Sequence, residues 1–370
     1  MKKIVAIFAS LVLLMLGIPT PSYAAPTTNT ITLFEPTHRQ LDGKFIDDDL
    51  ASLLTPEGTL GTLVFSPPRG NRIWNIDAAL VEEVVAMSHG YELVGGEAGT
   101  GAKVAQDFLA QLLLATTTDT IYSLPYGNPS GYWIHRLSPH DENYFLTAGQ
   151  LRLQNLLGRP VTGLTKYPYY KYFKLSSDLI ATYKDAGVTL QTVARYLSSS
   201  ELDNYRLHSA ALLTSQIETS RRDYLEINLT AQSFALMHEV SVVPGRFTIT
   251  ASQQKLPITV INNFNSPAQI HLRVSSLNSK VRIGKLPLIT LGAKSKTQIL
   301  VPVEVLTSGS SALAIDALTP SGKLLGESVL FPLNLAVISP IATWITTTAA
   351  LILFGAAVIQ SIRRFRRRGK

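Results

Sequence analysis

Two acidic residues pose the chemical question. Glu35 follows the apolar run Ile31–Phe34, and Asp77 follows another, Ile73–Ile76. Such runs read as strands, and in a parallel α/β layer ligands bind beyond the carboxyl ends of the strands, so both carboxylates would face one crevice. Two carboxyl groups across a cleft are what glycoside hydrolysis uses, one as acid and the other as nucleophile or base. His38, Arg39, Tyr126, Asn128 and His135 would line the rim. The same residues admit a plainer reading as loop and capping polars. Asp77 directly precedes Ala78–Met87, where Leu80, Val81, Val84 and Val85 form one stripe, and it is placed to cap that helix.

Other chemistry-bearing residues exclude more than they suggest. His38, His89, His135 and His140 with Asp141 match no compact zinc spacing, so no metal and no cofactor are expected. Gly95–Lys103 is glycine-rich, yet Gly101 is followed by Ala102 where a phosphate loop needs lysine and then Ser or Thr. Ser252-Gln-Gln-Lys255 has the spacing of a serine acyltransferase motif, but it lies among strands with no companion motif. The chain has no cysteine, which removes disulfides and thiolate chemistry. The run Lys166–Lys174, with Tyr169 and Tyr170, sets aromatic faces beside cations. Such faces stack on sugar rings, sit at lipid headgroups, or pack between domains with their hydroxyls in water.

The elements that would hold these residues fall in a clear order. Leu50–Leu54, Ala78–Met87 and Val104–Ala115 read as helices, and Ile31–Phe34, Leu60–Phe65, Ile73–Ile76 and Thr120–Leu124 as strands. This alternation predicts an α/β domain over 27–165, part of a β/α barrel, because a full barrel needs about 250 residues. A helical connector over 166–227 begins after Ser176-Ser177-Asp178, and a longer helix follows Ser198–Glu201 to about Tyr224. About seven alternating segments over 228–337 predict an immunoglobulin-like β-sandwich.

Both ends are apolar. Residues 1–24 read as a signal peptide: Lys2 and Lys3, a greasy stretch, then Ser22-Tyr23-Ala24. Ile341–Ile362 is long enough to cross a bilayer as a helix. The basic tail 363–370 would stay in the cytoplasm, leaving the bulk of the chain outside. The net charge is +7, and Lys2, Lys3 and the tail's five arginines and one lysine supply eight positive charges, which leaves the remainder near −1. The basic balance is therefore topological, with membrane lipid as a partner and no nucleic acid implied.

Several phrases together resemble an actinobacterial cell-envelope family known as domain of unknown function 6049. They are Phe34–Arg39, Phe45–Leu50, Leu60–Leu63, Trp74–Leu80 with Gly90-Tyr91, Leu124–Pro129, Leu256–Asn263, and Leu318–Gly322 through the arginine-rich tail. The resemblance implies a single-pass envelope protein of unknown activity, and it tilts the expected partner toward cell-wall assembly, as an envelope glycan or the flippase for the lipid-linked peptidoglycan precursor. Ala78 stands where a proline usually follows the aspartate, and Asn128 and Ser130 where similar chains carry Asp, so inherited carboxylate chemistry is less expected here. Three functions remain open: a non-enzymatic binding or scaffold protein, a divergent carbohydrate-active hydrolase using Glu35 and Asp77, and an adhesin-like scaffold in which only the sandwich matters.

Overall fold

Strands β1 (Asn29–Leu33), β2 (Arg72–Ile76), β3 (Thr120–Ser123) and β4 (Thr162–Gly163) pair in parallel in the order β1-β2-β3-β4 in a computed structural model that describes residues 28–168, 171–194, 200–336 and 340–367. The signal segment 1–24 and Tyr169 and Tyr170 lie outside the described residues. Parallel neighbours need a crossover, and helices supply each one. α1 (Asp49–Leu54) and α2 (Thr59–Phe65) link β1 to β2, α3 (Ala78–Ser88) and α4 (Ala102–Ala115) link β2 to β3, and α5 (Gly131–Leu137) and α6 (Glu142–Leu157) link β3 to β4. Strand order follows chain order, without the reversal found in doubly wound sheets. Leu33, Trp74 and Ile76 from the sheet and Leu54, Val64, Val84, Phe108 and Phe145 from the helices are buried.

Leu60–Phe65, expected as a strand, is the body of α2. Its β-branched residues misled, whereas its burial follows a helix: Leu60, Gly61 and Val64 are inside. Gly61 is required there, because a Cβ would stand 1.7 Å from the carbonyl oxygen of Thr55. The crossover between two parallel strands overrides the local preference for extended structure.

The chain divides into two units, and the parallel sheet belongs to the first. Among its described residues the second includes α7 (Ser177–Val193), α8 (Ser200–Ala211), α9 (Thr219–His238) and nine strands. Ser176 caps α7, its hydroxyl accepting the Leu179 N–H at 3.1 Å. The single helix expected to reach Tyr224 is two helices, α8 and α9, interrupted at Thr214–Gln216, which join the first unit. Because α9 continues to His238, the sandwich starts at Val240 and not at residue 228.

The sandwich strands are β5 (Val240–Val242), β6 (Phe247–Ile249), β7 (Gln253–Asn262), β8 (Ala268–Ser276), β9 (Val281–Ile283), β10 (Ile289–Leu291), β11 (Ser295–Val305), β12 (Gly309–Leu318) and β13 (Leu324–Leu335). One sheet runs β10-β8-β12-β13-β6 and the other β5-β7-β11-β9. Pairing is antiparallel except for β13 with β6. Inward positions alternate along β7 as Leu256, Ile258, Val260 and Asn262, the period that packs one face on a core. Asn262 is fully buried but satisfied, donating to the carbonyls of Ser266 and Gly292 and accepting the Phe264 N–H. Val193 of α7 and Leu202 of α8 join the same core.

α10 (Pro340–Arg367) follows β13. Within it Trp344–Ile362 has mean hydropathy 1.8 and none of it counts as buried inside the protein, so it is long and apolar enough to span a membrane as a single pass.

Candidate functional site: the strand-end carboxylate cluster

Buried polar side chains of the first unit concentrate beyond the carboxyl ends of β1, β2 and β3. Thr37 and His38 follow β1, Asp77 ends β2, Asn128 and Ser130 follow β3, and Glu83 comes from α3, all of them buried. Helix α3 organises the cluster, because it begins at Asp77 and carries Glu82 and Glu83 toward the neighbouring loops.

Asp77 caps α3. Its Oδ1 accepts the N–H of Ala79 at 3.1 Å and the N–H of Gly127 at 2.9 Å, so one oxygen joins the helix start to the loop after β3. Its backbone N–H reaches Leu33 at 3.0 Å, which ties the end of β1 as well. The side chain is wholly buried. Burial pushes its pKa up to about 7, against the two N–H bonds, with the charges of Glu83 and Glu82 adding to the rise.

Glu83 holds the loop after β1. It accepts the His38 backbone N–H at 3.0 Å and the Thr37 hydroxyl. Burial also raises its pKa, an effect that His38 and the two hydrogen bonds oppose. Glu82, on the next face, accepts the Tyr126 hydroxyl at 2.6 Å and pairs with Arg152 of α6 at 3.0 Å. The Arg152 guanidinium also lies over the Tyr126 ring, 5.2 Å from its centroid. Burial first, and then the Glu82 charge, lift the Tyr126 hydroxyl well above its ordinary pKa. Three acids at the start of one helix thus fasten the loops after β1 and β3.

The loop after β3 turns sharply. Gly127 (φ 67°) and Asn128 (φ 42°) are both left-handed, and Asn128 N–H closes on the Pro125 carbonyl at 2.7 Å. Asparagine tolerates this conformation better than most residues. Helix α6 presses against the turn at Gly149, where a Cβ would meet the Leu124 carbonyl oxygen at 2.4 Å.

His38 is fully buried and sits between two acids, with Nδ1 2.7 Å from Asp47 Oδ1 and Nε2 3.5 Å from Glu35 Oε1. Glu35 and Asp47 keep about a quarter of their side-chain surface in solvent, at 23% and 29%. They form the outer layer of the cluster.

The structure therefore gathers Glu35, His38, Asp77, Tyr126 and Asn128 at one end of the sheet. It corrects the expected roles of three of them: His38, Tyr126 and Asn128 are buried interior groups and do not line a rim. Arg39 is partly buried next to His38. His135 lies in the last turn of α5, mostly exposed and paired with Glu142 at 2.6 Å. Glu82, Glu83, Asp47 and Arg152 were not singled out in the sequence. Glu83 did leave a signal, since with Leu80, Val84 and Met87 it completes a buried stripe at helical spacing. Among the described residues no group of three or more His, Cys, Asp or Glu could hold a metal ion.

Comparison with known proteins adds the following. The model of a family described as "Family of unknown function (DUF6049)" matches residues 181–368, which begin within α7 and run through α10. The strand-end phrases of the first unit lie outside that match. No curated protein matches. Similar solved structures include WR4, a C. elegans MSP family member, at 15% identity over 26% of this chain and 98% of that one, with a TM-score of 0.21. The E. coli chaperone DraB is similar at 16% identity over 26% of this chain and 53% of its own, TM-score 0.21. Native E. coli alpha-2-macroglobulin, from domain MG7 to the C-terminus, is similar at 13% identity over 26% and 16%, TM-score 0.21. The chain spans less than two thirds of the last two.

Proposed function

From membership of the DUF6049 family, to which this chain belongs, we propose that it is a membrane-anchored binding or scaffold protein that works outside the cytoplasm. In this reading α10 crosses the bilayer with the basic tail 363–370 inside, the sandwich stands next to the membrane, and the α/β unit, an open part of a β/α barrel, presents its strand ends to a partner. The carrying observation is that Asp77, Glu82 and Glu83 are all engaged in holding loops, and that Asp77 exposes no surface to a substrate. A glycosidase carboxylate must reach the scissile bond. The partner fits an envelope glycan or the lipid-linked precursor flippase, the direction in which the family resemblance points, with Glu35 and Asp47 as the outward groups. Membrane lipid is the second partner, through α10 and the arginines.

The alternative is hydrolysis by Glu35 and Asp77, and one experiment separates the two. Full-length protein in lipid nanodiscs is incubated with isolated cell-wall material, and bound protein and released fragments are measured by mass spectrometry, beside a Glu35→Gln variant. Retention without release in the wild type supports binding. Release of sugar fragments that stops in Glu35→Gln means an enzyme and refutes the proposal.

A further inference from the structure

Three buried side-chain atoms at the strand ends have no hydrogen-bond partner among the described residues: Asp77 Oδ2, Asn128 Oδ1 and Ser130 Oγ. Two of them are pure acceptors in their ordinary forms, since neither an ionised carboxylate nor an amide oxygen carries a hydrogen. Buried acceptors without donors are uncommon and unfavourable. The residues that carry these two are linked through Gly127. Asp77 Oδ1 accepts the N–H of Gly127, and the next residue is Asn128, locked in the left-handed region by its bond to Pro125. The Asp77 side chain cannot turn to water without undoing the cap and its bond to Gly127. One proton would satisfy both atoms.

We propose that Asp77 is a neutral carboxylic acid in the folded protein, with its Oδ2–H donating to Asn128 Oδ1, and that this acid–amide bond latches the turn after β3 onto the start of α3. The charged groups around Asp77 favour the neutral form. From its own helix it faces Glu82 and Glu83, both acidic. From the loop after β3 comes the Tyr126 hydroxyl, which donates to Glu82. The cation of α6, Arg152, is paired with Glu82, and the loop after β1 directs His38 and Arg39 toward Glu83. An ionised Asp77 would thus be a buried anion next to two other acids, with two backbone N–H groups on one oxygen and none on the other. The elevation of its pKa to about 7 agrees with this arrangement. Tyr126, which bonds Glu82, lies on the latched loop, so the proton bears on how that loop is held.

Rotating the Asn128 amide by half a turn would instead offer its NH2 to an ionised Asp77. The two arrangements differ by one proton, which infrared spectroscopy detects. Full-length protein in nanodiscs, isotope-labelled at the carboxyl carbons of aspartate only, is measured from mildly acidic to mildly alkaline pH. The expected result is a protonated aspartic acid carbonyl band on the acid side that fades with a midpoint near 7 and is absent from Asp77→Asn. Aspartate labelling keeps Glu83 out of the signal. If Asp77→Asn does not fold, Asn128→Leu supplies the second arm: the band must persist and shift to the position of an acid without an acceptor. Absence of any protonated aspartate band in mild acid, persistence of the band in Asp77→Asn, or an unshifted band in Asn128→Leu each overturns the proposal.

Discussion

Asp77 carries the most consequence per atom. Its folded pKa of about 7 lies above the usual aspartate value, so the folded state binds its proton more tightly than the unfolded chain does. Stability from this group is fully present below the unfolded pKa, falls as pH rises from about 4 toward about 7, and stays flat above that. The steepest loss is about 1.4 kcal/mol per pH unit for one proton. Chemical denaturation between these limits should show the slope in the wild type, and Asp77→Asn should reduce it. Tyr126→Phe removes the hydroxyl that Glu82 accepts and should cost about 1–2 kcal/mol by the same measurement, because the partner is charged and part-buried. His38→Ala leaves a void beside Glu35 and Asp47 and should cost about 2–5 kcal/mol. The capping position of Asp77 could be read from the sequence, since an aspartate before an apolar helical stripe has few other uses. The depth of His38 could not, because nothing in Pro36-Thr37-His38-Arg39 reveals that Glu83, far along the chain, takes its backbone N–H. Glu83 was hidden for the opposite reason: its charge masked a position that the helical stripe marks as interior.

Elements were legible where their period was long and unambiguous. Ala78–Met87 and Val104–Ala115 stand within a residue or two of the observed α3 and α4, and the alternation from Leu256 to Ile261 is β7. Thr59–Phe65 was not legible, because a six- or seven-residue apolar run reads equally as helix or strand and only the crossover between β1 and β2 decides. Gly61→Ala tests that account. Its Cβ would collide with the backbone carbonyl of Thr55, so α2 should shift at a cost of about 1–3 kcal/mol, although alanine favours helices. A Leu60–Phe65 strand would accept the same change with little loss. Likewise Ser176→Ala should lower stability by about 1 kcal/mol through loss of the α7 cap.

At the scale of the whole chain, α10 is long and apolar enough to anchor the protein in a membrane as a single pass. The span Trp344–Ile362 should keep it in the membrane fraction through high salt and alkaline washing, and a version ending before Trp344 should leave that fraction. In the proposed orientation, protease added to intact cells should reach the two folded units and spare the arginine tail. The attachment to the sandwich has a mechanical consequence. β13 is an interior strand, laddered to β12 along most of its length and to β6 on its other side, and it is the strand that leads to α10. Tension drawn through α10 would pull β13 lengthwise against both neighbours, so its hydrogen bonds would share the load at once where an edge strand would release them one at a time.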